Sequence, residues 1–208
     1  MRGVERKGCG ACIAIVASLF TACASSPPAE LPPVRVPSMQ EFMGVGFPLE
    51  AGPYSAMNVQ RYLDPQLGIR VGYVAFKSGD RVDIYVYPAA STRGQSEMPV
   101  GADSAVSVEF KKARAELHTE VFERRGATGI RSVADTTIQM EFGADTLRGM
   151  WSDFEISRDD EIYMSSIAVF LKEGSFVKVR HSVAPDKFAA SSETMVDLIR
   201  EFLRSVRP

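Results

Sequence analysis

The chain has 208 residues, with 24 lysines and arginines against 26 aspartates and glutamates and a net charge of −2. With no basic excess and no basic tract, it lacks the electrostatic footprint of a nucleic-acid binder. Its 45% hydrophobic content suits a globular domain with a substantial core.

The first 23 residues are set apart from the rest. Arg2, Arg6 and Lys7 precede an apolar run, Ala11–Phe20. A run of this size falls within the ~7–15 residues of a signal-peptide core and short of the ~20 needed to span a bilayer. All three cysteines, Cys9, Cys12 and Cys23, lie in this stretch. Small residues surround the last of them in Leu19-Phe20-Thr21-Ala22-Cys23-Ala24. This pattern resembles the lipobox of bacterial lipoproteins. The resemblance implies that residues 1–22 are removed as a lipoprotein signal peptide and that Cys23 becomes the acylated N-terminus. Because Ala24 rather than Asp follows Cys23, it also implies retention at the outer membrane, facing the periplasm. Ala22-Cys23-Ala24 equally fits the A-x-A site of ordinary signal peptidase, which would release a soluble periplasmic protein. One acyl chain binds a membrane marginally, whereas several hold it stably.

Loss of the leader removes Arg2, Arg6, Lys7 and Glu5, leaving 21 basic and 25 acidic residues, a net charge of −4. With Cys23 acylated, no thiol remains for a disulfide, a thiolate metal site or a cysteine nucleophile. Residues 23–37 then form the lipidated cysteine and a tether. Its sequence, Ala24–Pro37, contains five prolines, which fix φ and remove backbone donors. At ~3.1 Å per residue a polyproline spacer of this length reaches about 40 Å from the membrane. A docking site for proline-reading modules is the alternative use of the segment.

Residues 38–208 read as one globular domain. Ser38–Met43 reads as a helical turn, and Gly44-Val45-Gly46-Phe47-Pro48 as a turn, since a bare G-x-G with no preceding strand is not a dinucleotide fingerprint. Tyr54–Tyr62 is a weak strand closed by Asp64-Pro65. Ile69–Lys77 and Asp80–Pro88 flank Ser78-Gly79 as a hairpin. With Lys77 opposite Asp80, Ala75 faces Val82, Tyr73 faces Ile84 and Val71 faces Val86. One face is apolar, and the other carries Arg70, Val74, Phe76, Arg81, Asp83, Tyr85 and Tyr87.

Pro88–Gly101 reads as a loop. A helix follows from Asp103 or Ser104 to Arg125, with Val106, Phe110, Ala113, Leu117 and Val121 as its buried stripe and Gly126 as its stop. Strands are expected over Ile130–Phe142, Leu147–Ile156, Ile162–Leu171 and Phe176–Val183. The last two form a second hairpin through Glu173-Gly174 that sets Leu171 opposite Phe176. A closing helix over Ser192–Arg204 buries Met195, Leu198, Ile199, Phe202 and Val206. The order β-β-β-α-β-β-β-β-α, joined by hairpins, implies an α+β fold with a single antiparallel sheet covered by helices.

No catalytic or cofactor motif stands out. There is no G-x-S-x-G elbow, H-E-x-x-H or Walker loop. His118 borders the buried stripe of the first helix, and His181 is expected to bond Ser166 across its hairpin. Two histidines without thiols make a poor zinc set. Asp159-Asp160-Glu161 reads as a solvated turn, lacking the glycine and spaced oxygens of calcium loops. Asp153 and Glu155 alternate near Trp151, the one arrangement that would suit a paired-carboxylate hydrolase. Arg70, Arg81, Tyr85 and Tyr87 form an aromatic–basic patch, which either lies under a helix or is a partner or ligand surface.

Three phrases, Leu67-Gly68-Ile69-Arg70-Val71, Val82-Asp83-Ile84-Tyr85-Val86-Tyr87 and Gly174-Ser175-Phe176-Val177-Lys178-Val179-Arg180, together with the element order, resemble PsbP-like envelope proteins over residues 45–206. The resemblance implies an α/β/α sandwich and an accessory or binding role, with no specific activity. The expected function is therefore a lipid-anchored envelope module that binds a protein or envelope component without catalysis. The alternative is a small-ligand binder or carboxylate-based hydrolase.

The lipidation expectation is tested at Cys23. Wild-type protein should incorporate labelled fatty acid and begin at an acylated Cys23 by mass. Cys23→Ser should carry no label. An unmodified wild-type N-terminus at Ser25 contradicts the reading.

Overall fold

The computed structural model of the protein describes residues 39–42, 45–89, 102–142 and 145–206. The leader, Cys23 and the tether to Pro37 lie outside these residues, as does most of the loop expected over Pro88–Gly101.

Ten strands and two long helices are described. β1 (Met39–Phe42) and β2 (Val45–Pro48) pair as an antiparallel hairpin of their own. Both differ from the sequence reading, which expects a helical turn over Ser38–Met43 and a turn over Gly44–Pro48. Phe47 is fully buried, and Ser205 Oγ donates to Gly46 O at 3.0 Å. Tertiary packing thus overrides the local glycine and proline signals.

The remaining strands form one eight-stranded antiparallel sheet in the order β3-β4-β5-β6-β10-β9-β8-β7. These are β3 (Glu50–Ala51), β4 (Tyr54–Arg61), β5 (Ile69–Ala75), β6 (Asp80–Pro88), β7 (Gly129–Phe142), β8 (Asp145–Arg158), β9 (Glu161–Lys172) and β10 (Ser175–Val183). The order found has three strands more than expected ahead of the first helix, and both expected hairpins sit in the one sheet.

The two hairpins differ in how well their turns set the register. In β9–β10, Glu173 and Gly174 take φ of 50° and 76°, and Leu171 lies opposite Phe176 as expected. Positive φ at both central residues is the signature of a two-residue turn that matches strand twist. In β5–β6 the turn takes four residues, Phe76 to Gly79, with Gly79 N–H donating to Ala75 O at 2.8 Å. Ala75 therefore faces Asp80, Tyr73 faces Val82 and Val71 faces Ile84, a shift of two from the expected pairs. A shift of two preserves which face each side chain points to. Asp80, at the strand's start, interrupts the otherwise apolar face.

The helices cover opposite faces. α1 (Ala102–Thr119), extended by a π-helical turn over Glu120–Arg124, buries Val106, Phe110, Ala113, Leu117 and Val121 against Phe154, Ile156, Ile167, Val169 and Phe176. α2 (Phe188–Ser205) buries Met195, Leu198, Ile199, Phe202 and Leu203 against Tyr73, Ile84, Val177, Val179 and their neighbours. The expected apolar stripes of both helices are the ones that pack.

α1 packs mainly on β8 and β9 and reaches the sheet centre at Tyr87 and Phe176. Beyond Tyr87 it leaves the same face of β4 and β5 and the Tyr85 end of β6 less covered, and the cleft described below lies there. β7 closes the sheet at the far edge. A bulge between Ser132 and Ala134 and the charges of Arg131 and Asp135 interrupt its outer side, features that discourage edge-to-edge pairing.

Val179 tests the face assignment, because it is fully buried beneath α2. Val179→Asp should place an unpaired charge there and cost several kcal/mol, enough to unfold a domain of ordinary stability. A variant with the parent's melting temperature contradicts the assignment.

Candidate functional site

A cleft of about 840 Å³ runs beside α1 on the face the helix leaves open. Its floor is the β6–β10 ladder, where Lys178 pairs opposite Tyr85. One wall is α1, which presents Glu109, Lys112, Glu116 and Glu120. The other wall is the segment after β4, with Tyr62, Asp64, Gln66 and Leu67. Gly68 sets that wall close to the floor. Its φ is +62°, and a Cβ there would run into the backbone of Val86, so only glycine fits the approach. Asp64 caps the short 3₁₀ turn at Pro65–Leu67, its side chain accepting the Gln66 N–H at 2.9 Å.

Ion pairs and aromatic rings dominate the cleft. Lys178 Nζ donates to Glu116 Oε2 at 2.8 Å and lies 5.1 Å and 5.7 Å from the ring centres of Tyr85 and Tyr87. This distance and orientation define a cation–π contact. Tyr87 Oη donates to Glu109 Oε1 at 2.7 Å, and Lys112 Nζ stands 3.8 Å from the same oxygen. Arg180 and Arg125 both pair with Glu120.

Burial raises the Tyr87 hydroxyl far above its usual range, with the bond to Glu109 adding to it. Burial also pushes Tyr85 up to about 12, with Asp83 beside it adding and Arg70 opposing. Burial works against the charge on Glu120, but Arg180 and Arg125 outweigh it and hold its carboxyl below the usual range.

Of the residues the sequence marked as a surface, Tyr85 and Tyr87 line this cleft. Arg70 lies on the same sheet face but is held by Asp83, with Nε and Nη2 donating to Oδ1 at 2.9 Å and 2.7 Å. Arg81 is exposed on that face and does not line the cleft. The α1 carboxylates and Lys178 were not marked. Positions 109, 112, 116 and 120 recur at helical spacing, a second stripe beside the apolar one that was open to reading.

A second polar centre lies on the opposite face, under α2. His181 is fully buried and its Nε2 lies 2.8 Å from Ser191 Oγ, a residue of α2. The expected bond to Ser166 is not made. Ser166 Oγ instead donates to Asp153 Oδ1 at 2.6 Å, and Trp151 Nε1 donates to the same oxygen at 2.7 Å. Tyr54 Oη lies 3.5 Å from Ser191 Oγ. Neither His181 Nδ1 nor the buried Asp80 Oδ1 has a hydrogen-bond partner among the described residues. Burial lowers the His181 imidazole to about 4, against the pull of Asp80 and Asp153.

The remaining sequence candidates are accounted for structurally. Glu155 pairs with Arg131 at 2.9 Å, so Asp153 and Glu155 each have a structural partner of their own. His118 is exposed and stacks on Phe122. Asp159-Asp160 is an exposed two-residue turn with Asp159 at φ 54°. Among the described residues no three His, Cys, Asp or Glu side chains are placed to hold a metal ion.

No family model matches the chain, and no curated protein matches it significantly. Among solved structures it is similar to the cyanobacterial PsbP protein of Synechocystis, at 10% identity and a TM-score of 0.48, over 85% of this chain and 98% of that one. It is also similar to a protein of unknown function from Pseudomonas aeruginosa, at 7% identity and a TM-score of 0.39, over 78% and 92% respectively.

The buried histidine makes stability depend on pH. Its folded-state acidity lies near pH 4, below the ordinary 6.5. The unfolded chain therefore binds a proton first as pH falls. The contribution is complete above about pH 6.5 and is lost progressively down to about pH 4, by about 3 kcal/mol in all. Denaturant titrations at pH 7, 5.5 and 4 should show this decline, and His181→Gln should flatten its share. An unchanged pH slope in His181→Gln contradicts the assignment.

Proposed function

We propose that the protein is a lipid-anchored module of the bacterial envelope, held through acyl chains on Cys23 at the outer membrane and facing the periplasm. It works without catalysis, binding an envelope component through the cleft beside α1. The leader pattern and Cys23 support the anchor. The helix–sheet–helix layering and the three sequence phrases support reading the domain as a PsbP-like α/β/α sandwich.

One observation carries the binding role. The cleft joins tyrosine rings to carboxylates that are already engaged by cations or hydroxyls, as in Glu116–Lys178, Glu120–Arg180 and Glu109–Tyr87. Such groups recognise a surface. They do not form the separated acid and base, one protonated and one ionised, that glycoside or ester hydrolysis needs. Asp153 and Glu155, the pair that favoured a hydrolase, are likewise tied to Trp151, Ser166 and Arg131. The size of the cleft, about 840 Å³, also falls within the range of small-molecule sites, which keeps a small periplasmic ligand as the second reading.

Photo-crosslinking in intact cells separates these outcomes. A photoreactive residue at Leu67, on the cleft rim, should give a discrete protein adduct. The same residue at Ile162, exposed on the other sheet face, should not. A small mass added to the gently extracted protein, without a protein adduct, favours the ligand reading. Equal labelling from both positions contradicts the cleft as the binding surface.

A further inference from the structure

We propose that the cleft receives arginine side chains from an extended basic segment of a partner protein, and that Lys178 holds their place until the partner arrives. This deepens the binding-module reading and rests on it.

Charge is the first reason. Asp64, Glu109, Glu116 and Glu120 line the cleft against Lys112 and Lys178. Asp64 accepts a backbone N–H, and among the described residues no lysine or arginine pairs with it. Arg125 and Arg180 already hold Glu120, and Lys178 holds Glu116. The charge open to a partner is therefore that of Asp64, joined by Glu116 once Lys178 moves aside. Both attract a basic group and repel an acidic one.

The second reason is that a cation already sits in the cage. The Lys178 ammonium rests over the rings of Tyr85 and Tyr87 and bonds Glu116 across the gap between sheet and helix. The two rings and the carboxylate are therefore arranged as a cation site, filled from within. Tyr62 adds a third ring at the opposite wall. Flat rings favour organic cations over metal ions, which need clustered oxygen ligands.

Arginine fits better than the lysine it would replace. Lysine is a strongly hydrated point charge on a flexible stem. Guanidinium is planar and less strongly hydrated, stacks on aromatic faces and grips a carboxylate with two parallel N–H bonds. Displacing Lys178 returns an ammonium, already 20% exposed at the side chain, to water, where it is well solvated.

A peptide rather than a free amine matches the extent of the site. Glu109 to Glu120 spans roughly 16 Å along α1 at ~1.5 Å per residue, about five residues of extended chain. Leu63 and Leu67 stand exposed in the segment that forms the far wall, offering apolar contact to the residues between the arginines.

The probe is tri-arginine amide, titrated calorimetrically into the full-length protein in neutral detergent, with tri-lysine and tri-glutamate amides as controls. Tri-arginine should bind saturably, more tightly than tri-lysine, and more weakly as salt rises. Tri-glutamate should not bind. Lys178→Met keeps the apolar stem, vacates the cage and should strengthen binding by about threefold or more. Asp64→Asn keeps a side-chain oxygen for the Gln66 N–H, removes only the charge, and should weaken binding by about twofold or more. The proposal is overturned by no saturable binding to wild type or Lys178→Met, by weaker binding to Lys178→Met, or by affinity unchanged in Asp64→Asn combined with Glu116→Gln. If tri-arginine fails while Leu67 still crosslinks to a partner, the cleft remains the binding surface and only the basic class of partner is rejected.

Discussion

The pairing of β6 with β10 is the constraint on which the rest of the structure depends. It joins two hairpin systems that are far apart in the chain, setting Val177 opposite Val86 and Val179 opposite Ile84 at the centre of the sheet. The chain leaves β6 at that centre and must reach β7 at the far edge, and α1 lies on one face along the way. The meander β7–β8–β9–β10 then returns to the centre, and α2 leaves across the opposite face. Such non-local closure costs chain entropy before it yields contacts, and the continuous apolar row through the seam is what offsets it.

The same seam sets the chemistry of both faces. Its register puts Lys178 beside Tyr85 on the α1 side and His181 beside Val82 on the α2 side. On one face α1 sits over β8 and β9, so the neighbouring ring and ion-pair surface stays wet. Of the cleft's pairs, Glu116–Lys178 is the more open to solvent, with 48% and 20% of the two side chains exposed against 30% and 13% for Glu120–Arg180, so it is the one more readily exchanged for a partner's. On the other face α2 seals His181, Ser191 and Asp80 away from water, where a charge is expensive. Buried Glu109, held by Tyr87, is the fixed element of the cleft, and Lys178 is the exchangeable one.

What was legible in the sequence followed from local rules. The β9–β10 register was readable because Glu173-Gly174 is a two-residue turn. The β5–β6 register lies two residues from the expected one because its turn takes Phe76 to Gly79 rather than Ser78-Gly79 alone, yet the faces are kept because parity is. The helix stripes were readable from 3.6-residue spacing. β1 and β2 were hidden behind glycines and a proline whose strand character comes from packing near α2. In the cleft, Tyr85 and Tyr87 followed from alternation along one strand. Lys178 and the α1 carboxylates reach them only through the β6–β10 seam and the seat of α1, neither of which a single stretch encodes. His181 was given the wrong partner for the same reason, since Ser191 comes from a helix laid across the sheet.

Hydrogen exchange on the anchored protein tests most directly whether the cleft is the working surface. Exchange would be compared between native membranes that retain their full complement of envelope proteins and the purified protein in detergent. Added protection in the membranes confined to residues 62–67, 109–120 and 178–180 is the result predicted. Protection along β7 or over α2 with an unchanged cleft would contradict it.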